Sequence, residues 1–106
     1  MAYVIFKEEI EKIVKKYIEL VKKEINIRKA YLYGSYINGN FTEDSDIDIA
    51  IVADDFIGDI VEDTFRLMKI RRKVDNRIEP HPFKTSDFDL SNPYIKEIVD
   101  TGVRIL

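Results

Sequence analysis

The chain has 106 residues, carries a formal net charge of -3 and contains no cysteine. Its length predicts a single domain over residues 1–106, because a second core of useful size would need a longer chain. The lack of cysteine excludes disulfides and thiolate metal sites, and the acidic balance argues against broad binding of nucleic acid. No apolar run reaches the roughly 18–20 residues that span a bilayer, and the N-terminus is badly flanked for a signal peptide. We therefore expect a cytoplasmic protein without a membrane partner.

The first half of the chain predicts a helix, a strand, a turn and a second strand. Apolar residues recur at steps of three and four from Lys7 to about Asn26, which indicates an amphipathic helix. Residues 30–33 are short, aromatic and stopped by a glycine, as in a strand, and residues 34–45 are typical of a tight turn and a loop. Apolar residues alternate over residues 46–53, which predicts the clearest strand of the chain.

The second half predicts a crossover helix followed by a strand. Helical spacing returns over residues 58–73, and a strand follows from residue 74 or 76 to Glu79. Pro80 and Pro82 are expected to close this strand, because proline cannot donate to a strand ladder. A connection of about 20 residues is long enough for a crossover, so some parallel pairing is expected.

The C-terminal part predicts one more helix and an edge strand. Ser91 is the predicted N-cap of a helix that ends near residue 101, and residues 103–106 return as a short strand. The whole order of elements predicts a mixed α/β (α+β) domain in which helices pack on a small mixed sheet.

Asp46 and Asp48 carry the strongest chemical signal, since alternate residues of a strand point to one face. Two such carboxylates repel each other and lose hydration, and no lysine or arginine lies within five residues of them. A divalent cation with a preference for oxygen ligands would compensate them, and a merely polar strand face is the alternative. A calcium loop of the EF-hand type is excluded, because Ile49 and Asp55 stand where it needs glycine and glutamate.

Gly34 and Ser35 directly follow the first predicted strand. Glycine lets the backbone approach a phosphate closely, and the serine hydroxyl can donate a hydrogen bond to it. Alone, this dipeptide is ordinary turn chemistry. Beside two carboxylates on the next strand, it predicts a phosphate-binding turn that faces a metal site.

Together, Gly34-Ser35, ten further residues and Asp46-Ile47-Asp48 resemble the signature of the DNA polymerase β-like nucleotidyltransferase superfamily. The chain length and the sequence that follows Ser45 are most similar to the minimal nucleotidyltransferases, many of which are encoded beside a helical HEPN protein. The motif covers residues 34–48, and the order of elements fits over almost the whole chain. The resemblance implies a nucleotidyltransferase core, in which Asp46 and Asp48 hold two Mg²⁺ ions, or Mn²⁺, and Gly34 and Ser35 bind the outer phosphates of ATP.

The same resemblance implies magnesium-dependent transfer of AMP from ATP to a hydroxyl, with pyrophosphate as the leaving group. Its most specific version is the antitoxin of a toxin–antitoxin pair, whose acceptor is a tyrosine of a HEPN partner. Because one small domain has no room for a separate acceptor-binding domain, acceptor recognition falls to that partner or to a homo-oligomer. Two alternatives stay open: an interaction protein that neutralises its partner by binding, and a metal-dependent phosphohydrolase.

In this superfamily a third carboxylate from the neighbouring strand normally completes the site. Glu79 is the candidate because it points away from the core side of Ile78, while Asp75, at the helix–strand junction, is its rival. Many relatives carry an arginine four residues after the glycine, and this chain has Asn38 there, so either positive charge comes from elsewhere or nucleotide affinity is low. His81, the single histidine, lies next to the proposed site between two prolines and is interpreted as a packing or surface residue, with a functional role as the alternative.

We expect the substitution Glu79→Gln to abolish transfer without unfolding the protein, because the amide removes a metal-binding charge and barely changes the side-chain shape. Transfer of labelled nucleotide and far-ultraviolet circular dichroism measure the two effects. A folded variant that stays active would refute the assignment.

Overall fold

The computed structural model, which describes residues 2–39, 42 and 44–106, contains a four-stranded mixed sheet with helices on both faces. Side chains are described for residues 8–37, 39, 42 and 44–106. In chain order the elements are α1 (Ala2–Lys22), β1 (Ile27–Tyr33), α2 (Ser35–Asn38), β2 (Ile47–Ala53), α3 (Ile60–Arg71), β3 (Ile78–Lys84), a 3-10 turn (Thr85–Asp87), α4 (Pro93–Thr101) and β4 (Val103–Arg104). The predicted mixed α/β class is confirmed.

The sheet has the strand order β3-β2-β1-β4. Strands β2 and β3 are parallel and are joined by the α3 crossover, whereas β1 is antiparallel to both β2 and β4. The predicted crossover and the predicted parallel pairing are therefore both present. This topology puts β2, the strand with the alternating pattern, in the interior of the sheet.

One face of β2 forms the main core. Ile47, Ile49 and Ile51 are fully buried there against α1 and α3. Helix α1 begins and ends several residues earlier than predicted, and it buries the apolar stripe that its spacing predicts. The buried hydroxyl of Tyr17 donates to the carbonyl of Leu67 at 2.8 Å, which ties α1 to α3. Among the described residues no helix is long and apolar enough to cross a membrane.

The prediction that Pro80 and Pro82 end the third strand is wrong, since β3 continues to Lys84. The N–H of Ile47 donates to the carbonyl of Arg77 at 2.8 Å, so the odd-numbered residues of β3 turn their backbone groups towards β2. The even-numbered residues, both prolines included, face the open edge of the sheet. There the missing N–H removes no ladder hydrogen bond.

The predicted N-cap of the last helix is displaced by one residue. The side chain of Asn92, not that of Ser91, accepts the hydrogen bond from the N–H of Tyr94, at 2.9 Å. Pro93 then occupies the first turn of α4, where its missing N–H costs nothing. The N–H of Ser91 is instead bound by the side chain of Asp89. Both residue types can cap a helix, and the position of the proline decides between them.

A buried carboxylate fixes the loop that leads into α3. Asp63 is 2% exposed, and its two oxygens accept the N–H groups of Ile57 and Gly58 at 3.1 and 3.0 Å. The side chain of Asp59 separately caps the helix by accepting from Val61 and Glu62. Two carboxylates therefore hold the start of α3 in one conformation.

We expect the substitution Asp63→Ala to lower the free energy of unfolding by about 2 kcal/mol or more, because it removes the two hydrogen bonds by which a buried carboxylate fixes the loop before α3. Urea denaturation measures this loss. Asp100→Ala is the control: Asp100 is an exposed helical residue paired with Lys96, and its loss should cost only about 0.3–0.5 kcal/mol. Equal losses in the two variants would contradict the role of Asp63.

Candidate active site

Strand register brings two of the predicted carboxylates together. Asp48 in β2 lies directly beside Glu79 in the parallel strand β3, and Tyr33 lies beside Asp48 on the opposite, antiparallel side. Side chains that are level on neighbouring strands share one face, so Asp48 and Glu79 project from the same face of the sheet. This is the face opposite the isoleucine core. Within the described residues, the carboxylate of Glu79 has no hydrogen-bond or ion-pair partner.

The turn after β1 packs directly onto Asp48. A side chain added to Gly34 would place its Cβ 2.3 Å from the Oδ2 atom of Asp48, which is closer than any real contact. Gly34 also has a φ of 83° and a ψ of -149°, a conformation open to glycine alone. The predicted phosphate turn and the predicted metal carboxylate are therefore in contact, with backbone on one side and a carboxylate on the other.

Ser35 begins α2, which has only four residues. The macrodipole of so short a helix is weak and would attract a phosphate only slightly. Phosphate binding here would therefore depend on local backbone N–H groups and on the serine hydroxyl. In the described part of the chain this hydroxyl has no hydrogen-bond partner. It is thus available to a ligand. Asn38 is the last residue of α2, and the orientation of its side chain lies outside what the structure describes.

Asp46 lies immediately before β2 and is exposed. The loop that leads to it is held by Tyr36, whose hydroxyl donates to the carbonyls of Thr42 and Ser45 at 3.2 and 3.4 Å. The hydroxyl of Ser45 also accepts the N–H of Thr42 at 2.7 Å. Asp46 therefore follows an anchored turn, and its own carboxylate has no hydrogen-bonding partner among the described residues.

His81, which the sequence places next to the proposed site and which we interpreted as a packing or surface residue, contacts Asp48. Its Nε2 atom is 3.1 Å from Oδ1 of Asp48, and an ionised carboxylate can only accept, so the histidine donates. The misassigned end of β3 concealed this contact. In a strand that continues past Pro80, His81 follows Glu79 on the same face, and this alternation is the signal that would have revealed it.

Tyr33 forms an aromatic wall beside the carboxylates. Its ring lies 5.5 Å from that of His81, and its hydroxyl is 2.8 Å from the hydroxyl of Tyr94 at the start of α4. Burial raises the pKa of the Tyr33 hydroxyl far above its usual value, and the bond to Tyr94 and the charges of Asp48 and Glu79 raise it further. Tyr33 therefore stays protonated and is suited to shaping the site, not to acting as a base.

Asp75, the alternative candidate for the third carboxylate, pairs with Arg77. Its Oδ2 atom is 2.9 Å from Nη2 of Arg77, and its Oδ1 atom accepts the N–H of the same residue at 2.8 Å. The side-chain hydrogen bonds from Arg77 lower the pKa of Asp75, against the opposing effect of burial. Asp75 closes a turn before β3, and only Glu79 lies level with Asp48.

The three proposed carboxylates fit a divalent cation by donor type, since magnesium and manganese prefer oxygen ligands. Two of the three, Asp46 and Glu79, lack a hydrogen-bonding partner among the described residues, which leaves their charge available to a cation. Across residues 2–39, 42 and 44–106, however, no three acidic, histidine or cysteine side chains converge in an arrangement that could already hold a metal. The three carboxylates would therefore have to approach one another to bind a cation together.

Comparisons with known proteins agree with one another on the type of domain. A family model described as "Polymerase beta, Nucleotidyltransferase" matches residues 7–106. Two proteins of Methanocaldococcus jannaschii, each named "Putative protein adenylyltransferase", are similar in sequence. One is 46% identical over 46 residues, which are 42% of this chain and 46% of that protein. The other is 28% identical over 92 residues, which are 87% of this chain and 89% of that protein.

A solved structure shares the fold. It is a crystal structure of a "putative nucleotidyltransferase" from Sulfolobus solfataricus, with a TM-score of 0.69 and 17% sequence identity. The match covers 98% of this chain and 86% of the other. Because the match covers nearly the whole chain, the likeness concerns the fold as a whole and not the Gly34–Asp48 segment alone.

We expect the substitution Gly34→Ala to displace the carboxylate of Asp48 and to weaken binding of magnesium and ATP about tenfold or more, because the added methyl group occupies the position of that carboxylate. Isothermal titration calorimetry measures the affinity. Gly39→Ala is the matched control, since Gly39 has a φ of 81° but no atom of the residues that the structure describes lies within 4 Å of its added Cβ. It should lose stability and keep its affinity. Equal affinities in the two variants would refute the contact's role.

Proposed function

This chain belongs to the polymerase beta nucleotidyltransferase family, and from that premise we propose that it transfers AMP from ATP to a hydroxyl group of a protein. The proposed metal ligands are Asp46, Asp48 and Glu79, with Mg²⁺ as the cation. The nucleotidyltransferase class follows from the family, whereas the nucleotide, the cation and the acceptor are our proposal.

The observation that best supports this proposal is the contact between Gly34 and Asp48. A site for nucleotide transfer must hold a triphosphate between a donor-rich turn and cations, and these two elements must be rigid relative to each other. Here a backbone turn and a carboxylate touch, with Glu79 level on the next strand. A polar strand face without function has no need of such a close approach.

Each residue then has a proposed role in the reaction. The backbone of Gly34 and the hydroxyl of Ser35 bind the outer phosphates, and His81 keeps the Asp48 carboxylate oriented through its hydrogen bond. When bound, magnesium would neutralise the triphosphate and the charge that develops on the leaving pyrophosphate. The acceptor oxygen forms a bond to the α-phosphorus as the bond to pyrophosphate breaks, and Glu79 accepts the proton of the acceptor hydroxyl.

A protein acceptor is favoured over a small molecule. The two archaeal relatives are named as protein adenylyltransferases, and one of them aligns over 87% of this chain. The proposed site is also open, because Asp46 and Glu79 are both exposed. A tyrosine on a helical partner of the HEPN type is our specific proposal, and it makes the chain the antitoxin of a two-protein pair.

We expect label from ATP labelled at the α-phosphate to appear on a tyrosine of the co-expressed HEPN partner, in the presence of magnesium. Asp46→Asn and Asp48→Asn should each lower this transfer about a hundredfold or more, because each removes a charge that binds the cation. Asp54→Asn is the matched control, since Asp54 follows the same strand at its other end and pairs with Arg28 at 2.6 Å. Gel autoradiography and mass spectrometry provide the measurement.

Three outcomes would separate the functions. Label on the partner that is lost in both site variants and kept in the control supports adenylyl transfer. A stable complex without label would instead identify a protein that acts by binding. Release of phosphate without label on protein would identify a phosphohydrolase.

A further inference from the structure

The outer face of α3 exposes large apolar side chains. Val61 is 74% and Phe65 is 52% exposed, and Ile57 in the preceding loop is 64% exposed. Because an α-helix makes a turn every 3.6 residues, Val61, Phe65 and Met68 lie within about 60° of one another. We refer to Ile57, Val61, Phe65 and Met68 as the α3 stripe. Clustered apolar exposure of this kind marks an interaction surface.

The α3 stripe is held rigidly. Asp63, on the buried side of the helix, fixes the loop that carries Ile57 by accepting its N–H at 3.1 Å. The cap at Asp59 fixes the first turn, and Leu67 anchors the middle of the helix in the core. A surface that is built in this way presents its apolar side chains in fixed positions. Association would therefore cost little ordering of the backbone.

Charges beside the α3 stripe are arranged for a second copy of the same helix. Glu62 and Lys69 are seven residues apart, so they occupy the same flank of the stripe, one near each end. The helix dipole explains an acidic start and a basic end, but it does not require that both charges border an apolar stripe. Neither side chain has an ion-pair partner among the described residues, and the Lys69 ammonium lies 4.6 Å from the ring centre of Phe65.

We propose that two copies of this chain associate through the α3 stripe, with the two α3 helices antiparallel. A twofold axis perpendicular to both helices places the flank that carries Glu62 and Lys69 opposite the same flank of the second copy. The two flanks run in opposite directions. Glu62 of each copy then faces Lys69 of the other, and the two pairs are identical by symmetry. Phe65 lies near the centre of the helix and contacts Phe65 of the second copy close to the axis. This pairing covers the α3 stripe and supplies both charges with partners.

This association leaves the proposed active site free. Helix α3 packs against α1 and β3 on the isoleucine side of the sheet, whereas Asp48 and Glu79 project from the other side. The dimer therefore does not depend on the adenylyl transfer proposed above. Loss of one can be distinguished from loss of the other.

The experiment is sedimentation analysis of the purified chain and its variants over a micromolar concentration series. The natural sequence should dimerise, and Phe65→Asp should raise the dissociation constant about tenfold or more, since it buries a charge at the axis. Leu90→Asp is the matched control, because Leu90 is 55% exposed but lies outside the α3 stripe. It should leave the dimer intact, and thermal melting should show that both variants are folded.

Charge exchange tests the antiparallel arrangement itself. Glu62→Lys alone and Lys69→Glu alone should each weaken self-association, because each puts like charges opposite each other. An equimolar mixture of these two variants should form a heterodimer, and the double variant should dimerise like the natural sequence. A chain that stays monomeric at every concentration overturns the proposal. So does a dimer that Phe65→Asp does not weaken, or a mixture that fails to form heterodimers.

Discussion

The proposed site depends on the contact between the backbone of Gly34 and the carboxylate of Asp48. No side chain fits between them, so the turn after β1 packs directly against the strand β2. Antiparallel pairing of β1 with β2 sets the position of the turn, and parallel pairing of β2 with β3 sets that of Glu79. The positions of the Gly34 turn, Asp48 and Glu79 relative to one another thus follow from the hydrogen-bond ladder of the sheet.

The two faces of β2 have different roles: one packs in the core, and the other carries Asp48 of the proposed site. Ile47, Ile49 and Ile51 bury one face completely, which allows the other to carry the charge of Asp48 beside that of Glu79 on β3, a pair of like charges that would be destabilising by itself. On that second face, His81 and Tyr33 surround Asp48 with a hydrogen bond and an aromatic wall. The cost of placing the carboxylate of Asp48 on an interior strand is offset locally by these neighbours and globally by the isoleucine core.

Much of the fold could be predicted because its signals are local. Alternation in β2 and helical spacing in α1 and α3 depend only on neighbouring residues. The end of β3 could not be predicted, because a proline destabilises a strand only where its nitrogen faces a partner strand, and not where it faces an open edge. That orientation depends on how the strands pair in the sheet. The contact of His81 with Asp48 could not be predicted for the same reason. Likewise, no local pattern reveals that Glu79 lies level with Asp48.

The two prolines of β3 have a consequence for how copies of this protein can assemble. An edge strand normally offers a row of N–H and carbonyl groups on which another strand can grow, but Pro80 and Pro82 remove two successive donors from the open edge. Addition of another strand at this edge is therefore disfavoured. Open-ended growth into fibrils through this edge is disfavoured for the same reason. Assembly on this side is left to helix surfaces, where a twofold contact closes after two copies.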